Sequence, residues 1–419
     1  MSKGNRTGII LGMLIGIQVA LVAQNSTNSP YTRYGYGMLA DRSFGAGRSM
    51  GGTGYGLRSS RQINPMNPAS YSCMDSLTFL FDAGASMHFS WYNDGTNRQK
   101  NINGNLEYFA LQFPLWKNRI AMSAGMLPYS HVGYDFWTVS ESDGTYPEHF
   151  SGTGGLNEVY IGLAWELWKK RLSVGANISY MFGNIDHRST MPLSGINTTA
   201  NDVYTMKQVN VHNLKYDFGL QYTHPVSKTE RITLGVAYSP HMRLKTTSYD
   251  KVAFDQTFTQ IFTADTTWNR GFDLPHSLGV GLSYVKDNKL MLAADVTYQS
   301  WSQAKFSNRT NEFDDRIKVA AGGEYIPNNF TRLYLNRVRY RAGVHYSNSY
   351  EKFKGSGYTE YGACVGAGFP MLDNRSFINT SFEYVRIVPG TKALISEQYF
   401  RITISYTFNE RWFAKLKLE

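Results

Sequence analysis

The chain has 419 residues, with Lys and Arg outnumbering Asp and Glu 42 to 32 for a formal net charge of +10. Charged residues make up only 18% while aromatics reach 15%, with 29 tyrosines and 39 glycines, a mixture that excludes a disordered chain. No apolar run reaches the roughly 20 residues that a membrane-spanning helix needs, which excludes a helical membrane protein.

The longest apolar stretch, Ile9 to Ala23, stands at the start. Lys3 and Arg6 precede it, Gly12, Gly16 and Gln18 interrupt it, and Gln24, Asn25 and Ser26 come after it. This layout predicts a secretory signal peptide over residues 1–23, with cleavage after Ala23, rather than an anchor helix. Cys73 and Cys364 are the two cysteines. They are read as inert thiols, with a disulfide left open as the alternative for an exported chain.

Residues 24–76 differ in character from the rest of the chain. Gly45, Gly47, Gly51, Gly52, Gly54 and Gly56 argue against regular structure. Arg33, Arg42, Arg48, Arg58 and Arg61 outnumber Asp41 and Asp75. The segment is therefore expected to be a compact cationic plug. Its arginines are expected to pair with inward-facing acids such as Asp82, Asp217, Asp295, Glu324, Glu360 or Glu383. The stretch Asn64-Pro65-Met66-Asn67-Pro68-Ala69 closes it. Each proline fixes its own φ and keeps the preceding residue out of the helical region, and asparagine stabilises turns, so a rigid reversal is predicted there.

From Leu77 onward the sequence alternates with a period of two. Phe79, Phe81, Ala83, Ala85, Met87, Phe89 and Trp91 share one face, and Thr78, Asp82, Gly84, Ser86, His88 and Ser90 the other. Fourteen such segments are counted, at about 77–91, 105–115, 119–129, 158–167, 171–183, 208–223, 231–246, 275–286, 289–300, 316–326, 337–347, 357–369, 376–387 and 398–408. The apolar faces end in aromatics such as Trp91, Tyr180, Tyr238, Tyr298, Tyr346 and Tyr384. That is an interfacial girdle. The opposite faces carry Arg339, Arg341, Arg401, Asp217, Asp295 and Glu383. A sandwich core could not bury these unpaired, whereas a polar barrel lumen holds them. The fold class expected is all-β: a 14-stranded antiparallel transmembrane barrel over 77–419 with an N-terminal plug, or hatch, over 24–76.

Connections alternate between short and long, as in bacterial outer-membrane barrels with short periplasmic turns. The long segment 247–274 leaves room for an extra hairpin at 252–267. The inner turns are basic, at Lys117 with Arg119 and at Lys169, Lys170 and Arg171, while 130–157 carries Asp135, Glu141, Asp143 and Glu148. The net charge thus belongs to a basic rim and plug. No basic helix or stacking groove suggests a nucleic-acid partner.

The Gly51-Gly52-Thr53-Gly54 run, with Asn67-Pro68-Ala69 after it and just before the first of fourteen strands, resembles the FadL family of outer-membrane transporters. Gly154-Gly155-Leu156-Asn157, and the stretch from Pro275 through Leu278-Gly279-Val280 to Ala294-Asp295-Val296 and Trp301, also resemble it. The ending Asn409-Glu410-Arg411-Trp412-Phe413 is similar to Bacteroidetes members, which include PorV-type subunits. The resemblance implies passive uptake of a small hydrophobic compound past the plug and out through a lateral opening at a kinked third strand. Pro128 is the candidate kink. Inward-facing apolar residues that could touch such a ligand are few: Leu80, Leu127, Met181 and Met291. The alternative implied is a non-transporting accessory subunit for protein secretion or outer-membrane protein assembly. Expected partners are outer-membrane lipid or lipopolysaccharide, a small hydrophobic ligand, and other outer-membrane or periplasmic proteins. No cofactor is expected. The nine histidines show no metal-ligand spacing. No Gly-x-Ser-x-Gly motif appears, and His88 and His345 read as wall residues, so no enzyme is expected.

Overall fold

The computed structural model describes residues 26–411, apart from 117–118, 141–145, 169–170, 194–200, 260, 269–270, 329–330, 354 and 392–393. The expected signal peptide, the basic turn residues Lys117, Lys169 and Lys170, the acids Glu141 and Asp143, and the end from Trp412 lie outside the described residues.

Alternating residues drive fourteen strands. They are β1 (Thr78–Asn93), β2 (Arg98–Trp116), β3 (Ile120–Ser140), β4 (Tyr146–Trp168), β5 (Leu172–Met191), β6 (Val203–Pro225) and β7 (Glu230–Ser239). After a long connection come β8 (Ser277–Lys286), β9 (Leu290–Gln299), β10 (Arg316–Tyr325), β11 (Arg339–Asn348), β12 (Tyr358–Pro370), β13 (Phe377–Pro389) and β14 (Ser396–Arg411). Each pairs antiparallel with its neighbours, β7 joins β8, and β14 returns to β1, so the sheet closes into a barrel. Closure removes the sheet edges that would otherwise need a cover. Short turns sit at the end where β1 begins. In the three-residue turn between Lys286 and Leu290, Asp287 and Asn288 both have positive φ, a left-handed geometry that Asp and Asn tolerate better than most residues.

The outward row of β4 sets the solvent. Val159, Ile161, Leu163 and Trp165 are 42–54% exposed, and comparable rows run around the wall. Contiguous apolar surface of that extent belongs in lipid, so the barrel spans a bilayer by its strands. Among the described residues no helix is long and apolar enough to cross.

The wall is taller on one side than the alternation suggests. Segment 130–157, expected as a loop, is largely strand: β3 and β4 pair from Ile120↔Trp165 to Ser140↔Tyr146. Much of 184–207 likewise extends β5 and β6. In these upper parts a bulge and glycines break the period of two, which hid them. By contrast β7 stops at Ser239, short of 246, because Pro240 has no N–H for the ladder. The hairpin expected at 252–267 is real and longer, Thr246–Ala253 against Ile261–Trp268, with its first strand added to the outer half of β6.

Candidate functional site

Residues 26–74 run inside the barrel, and the wall is shaped to receive them. Wall glycines stand where the plug backbone approaches: a side chain at Gly235 would meet the Tyr55 carbonyl, and one at Gly343 would meet Met50 and Gly51. Gly175 and Gly219 face Pro68 and Ala69 in the same way. Glycine in a strand costs stability, and here each removes a Cβ that would block the plug.

Charge completes the fit. Arg42 reaches Asp217 at 2.8 Å and Glu158 at 3.4 Å, and Lys215 of β6 shares both acids. Arg48, in the short helix Gly45–Arg48, lies 2.8 Å from Glu107. Lys318 meets Asp41 at 3.3 Å. Burial works against the Asp41 carboxylate, but Lys318 and Arg48 hold its pKa well below the usual carboxylate range. Asp295 takes plug backbone instead, accepting from Gly54 N at 2.6 Å and Tyr55 N at 2.9 Å.

Of the six acids expected to meet plug arginines, only Asp217 does so as an ion pair. Glu324 pairs with Arg339 and Arg341 of the wall, Glu360 with His345, and Glu383 with Arg401. Asp82 accepts from Tyr108 and Thr407. Arg58 approaches Glu166 at 3.9 Å, and Arg33 lies over the Phe150 ring. Glu107 escaped the sequence reading because of a bulge. β2 pairs Tyr108 with Gly84 but Leu106 with Ala85, which turns both Glu107 and Tyr108 inward. Phe44 of the plug then stacks on Tyr108 at 3.7 Å between ring centres.

The asparagine-proline stretch closes the return toward β1. The Asn64 side chain donates to the Gly54 carbonyl at 2.6 Å. The Asn67 side chain accepts from Ala69 N and donates toward Tyr55, Leu220 and Val236 carbonyls. It caps a 3-10 helix, Pro68–Cys73, that begins with the proline. Pro65 offers its carbonyl to Asn177. Cys73 and Cys364 are both free thiols, and Cys364 Sγ accepts from Gly51 N at 3.0 Å.

Pro128 sits at a break in the wall. β2 and β3 pair from Trp116↔Ile120 only as far as Phe109↔Met126. Beyond that point β2 continues on β1 and β3 on β4, without pairing to each other. β3 bulges at Tyr129, between Pro128↔Asn157 and Ser130↔Leu156. The bend passes into β4 and β5 through Gly154, Gly155 and Gly183, all at positive φ. Plug residues fill the split. Met38 and Leu39 pair with His131 and Ser130, Thr32 bonds to Gly133, and Asn105 donates to the Ser26 carbonyl at 3.0 Å. The run Asn101-Ile102-Asn103-Gly104-Asn105 places asparagine at every second position, on the inward side of β2 beside the split.

The four apolar candidates do not line one cavity. Leu80 and Leu127 pack with Phe44, Ile63 and Tyr71. Met181 belongs to the outer aromatic cluster around Tyr36, Trp301 and Tyr350, and Met291 packs against Ala46, Met50 and Leu57. One cavity between plug and wall, about 150 Å³, is lined by Arg42, Glu107, Lys215 and Arg401 together with Leu39, Tyr129, Val385 and Ile387. A second, about 340 Å³, lies between plug residues 33–36 and the outer part of the wall, beside Ile185, Val209, Phe272 and Phe313 as well as Lys207 and Asp250. The inner mouth opens into a recess of about 790 Å³ bordered by Arg58, Arg61, Arg231, Arg337 and Arg339. Among the described residues no group of three or more His, Cys, Asp or Glu is placed to hold a metal.

A model of the BamG family matches residues 6–419. Comparison with curated proteins by sequence gives no match. Among solved structures, the Ralstonia pickettii toluene transporter TbuX superposes with a TM-score of 0.59 at 17% identity, covering 88% of this chain and 98% of that one. The CymD monoaromatic hydrocarbon channel gives 0.58 at 15% identity, covering 88% and 98%. A Pseudomonas aeruginosa FadL homologue gives 0.57 at 15%, covering 89% and 99%. The fold is thus the plugged barrel of the FadL type.

Proposed function

The chain belongs to the BamG family, and from that membership and its closed lumen we propose that it is a non-transporting accessory subunit of a larger outer-membrane complex. The observation that carries this reading is the way the lumen is filled. Plug backbone lies against wall glycines, ion pairs cross from plug to wall, and the plug divides the space left into separate cavities, of about 150 and 340 Å³, that both carry charged groups. A ligand site for a hydrocarbon is concave and mostly apolar. Here the apolar inward side chains are divided among separate clusters that the plug already covers. The tall outer wall, the added hairpin and the basic inner mouth offer surfaces for other proteins of the complex, in protein secretion or outer-membrane protein assembly.

A second reading is favoured by the split between β2 and β3: passive uptake of a small hydrophobic compound, leaving sideways past Pro128 once residues 26–40 move aside. The similar structures named for toluene and monoaromatic hydrocarbons support that alternative by fold alone.

The test is purification of the tagged chain from native membranes in mild detergent, with mass spectrometry of proteins and lipids. The subunit reading expects other envelope proteins in stoichiometric amounts, and hydrocarbon entry into cells that does not depend on the chain. A chain that purifies alone, and whose deletion slows hydrocarbon entry, would overturn it in favour of transport.

A further inference from the structure

The lipid-facing wall carries one group that neither function uses. On β13, Phe382, Tyr384, Arg386 and Val388 all point outward and are exposed. Arg386 thus presents a guanidinium to the membrane side of the barrel, three residues below the outer end of its strand. Among the described residues no carboxylate forms an ion pair with it. A bare charge on the lipid face is costly at depth and tolerable near the interface when an anion meets it.

The surroundings have a shape. Strand pairing sets Tyr346, Tyr361 and Arg386 side by side on β11, β12 and β13, at steps of about 4.8 Å. Two residues further into the membrane, the next outward row is Ala321, Val344, Ala363 and Tyr384. The small Ala321 and Ala363 make a depression below the tyrosines, an open surface groove of about 690 Å³. A cation with phenol groups above and a shallow apolar trough beneath matches a molecule with an anionic head and acyl chains. The head must lie at the outer surface, because Arg386 is near the strand end opposite the short turns.

We propose that the outer face of β10–β13 is a binding site for a phosphorylated outer-leaflet glycolipid of the lipid A type. Arg386 holds the phosphate, and an acyl chain lies over Ala363 and Ala321. The fork of a guanidinium suits a phosphate, and the tyrosine hydroxyls add donors to the remaining oxygens. Charge complementarity selects this occupant over a partner protein, since an apolar protein surface would leave the guanidinium buried and unpaired.

The test uses the full barrel in detergent, titrated with lipid A and with the same lipid stripped of phosphate, and read by native mass spectrometry. Wild type should retain lipid A. Arg386→Gln should weaken it by about tenfold or more, the loss expected for a charge-assisted hydrogen bond. Removing the phosphate should weaken it similarly in wild type and no further in Arg386→Gln. Ala363→Trp, on the lipid side and away from the lumen, should fill the trough and reduce retention with the phosphate contact intact. Heat-modifiability checks that both variants form barrels. Equal retention by wild type and Arg386→Gln would overturn the proposal. So would equal competition from phosphatidylglycerol, or a protein partner of the native complex that Arg386→Gln releases while lipid A stays bound.

Discussion

Arg42 of the plug donates to Asp217 of β6 across 2.8 Å, and the same carboxylate accepts from Lys215 at 2.8 Å. Glu158 stands behind both cations, so two cations and two anions form one buried cluster. Asp217→Ala leaves Arg42 and Lys215 to share Glu158, an uncompensated buried charge costing about 3–5 kcal/mol of plug docking. Arg42→Ala leaves Asp217 and Glu158 to share Lys215, but it opens the cluster at its more exposed member, since the Arg42 side chain is 25% exposed and Asp217 only 4%, so it should cost less. Hydrogen exchange over residues 41–57, with heat-modifiability to confirm the barrel, reads the difference. The reverse order would show that the plug does not rely on this cluster.

Gly235 tests whether the wall glycines exist for the plug. A Cβ there would collide with the Tyr55 carbonyl, whereas one at Gly104 meets nothing nearer than the Ser86 carbonyl at 3.9 Å. Gly235→Val suits a strand on its own terms. It should nevertheless displace the plug and raise conductance in a planar bilayer, while Gly104→Ala leaves conductance unchanged. Equal conductance in both would mean the plug tolerates the intrusion.

The barrel was legible because lipid on one side and a polar lumen on the other impose a period of two on every strand, as in Phe79 to Trp91. The plug was legible from its glycines and arginines. Its partners were not: a single bulge at Glu107 reverses the parity of β2, and Glu324 and Glu383 find wall arginines first. Local spacing cannot reveal which of several inward acids a distant segment will meet. Pro128 marked a break, yet what fills the split, residues 26–40, depends on a path through the lumen that no strand pattern records. Leu80, Leu127, Met181 and Met291 lie on the inward side of their strands, and their division among separate clusters depends on the same path.

Glu351 lies outside the strands, in the connection between β11 and β12, and is 1% exposed. Burial pushes its carboxyl pKa up to about 8, so it is neutral when folded at mild pH. Between the ordinary carboxylate range and that value the folded state holds a proton that the unfolded state has lost. Stability of this outer cap is therefore fully present at low pH and falls as pH rises toward about 8. Hydrogen exchange over 349–357 should accelerate from pH 5 to pH 9 beyond its intrinsic rate, and Glu351→Gln should flatten that dependence. A dependence of the opposite sign would show that the folded state stabilises the charged carboxylate.

Asn67 offers the sharpest test of the return turn, because its amide does two jobs that two substitutions separate. Its oxygen accepts from Ala69 N at 3.2 Å, capping the helix that starts at Pro68. Its nitrogen donates to Tyr55 O at 3.0 Å and Leu220 O at 3.1 Å. Asn67→Ala loses both roles, and a cap plus a buried hydrogen bond are together worth about 2–3 kcal/mol. Asn67→Asp keeps the cap but turns a carboxylate toward those carbonyl oxygens in a site that is fully buried. An unpaired buried charge costs more than a missing bond, so plug stability should fall in the order Asn, Ala, Asp. Barrel assembly should survive in all three, since β1 begins only at Thr78. Protease sensitivity of residues 41–66, measured beside heat-modifiability, reads both effects. Loss of the barrel would assign the motif to assembly, and equal sensitivity in all three would reduce it to an ordinary loop.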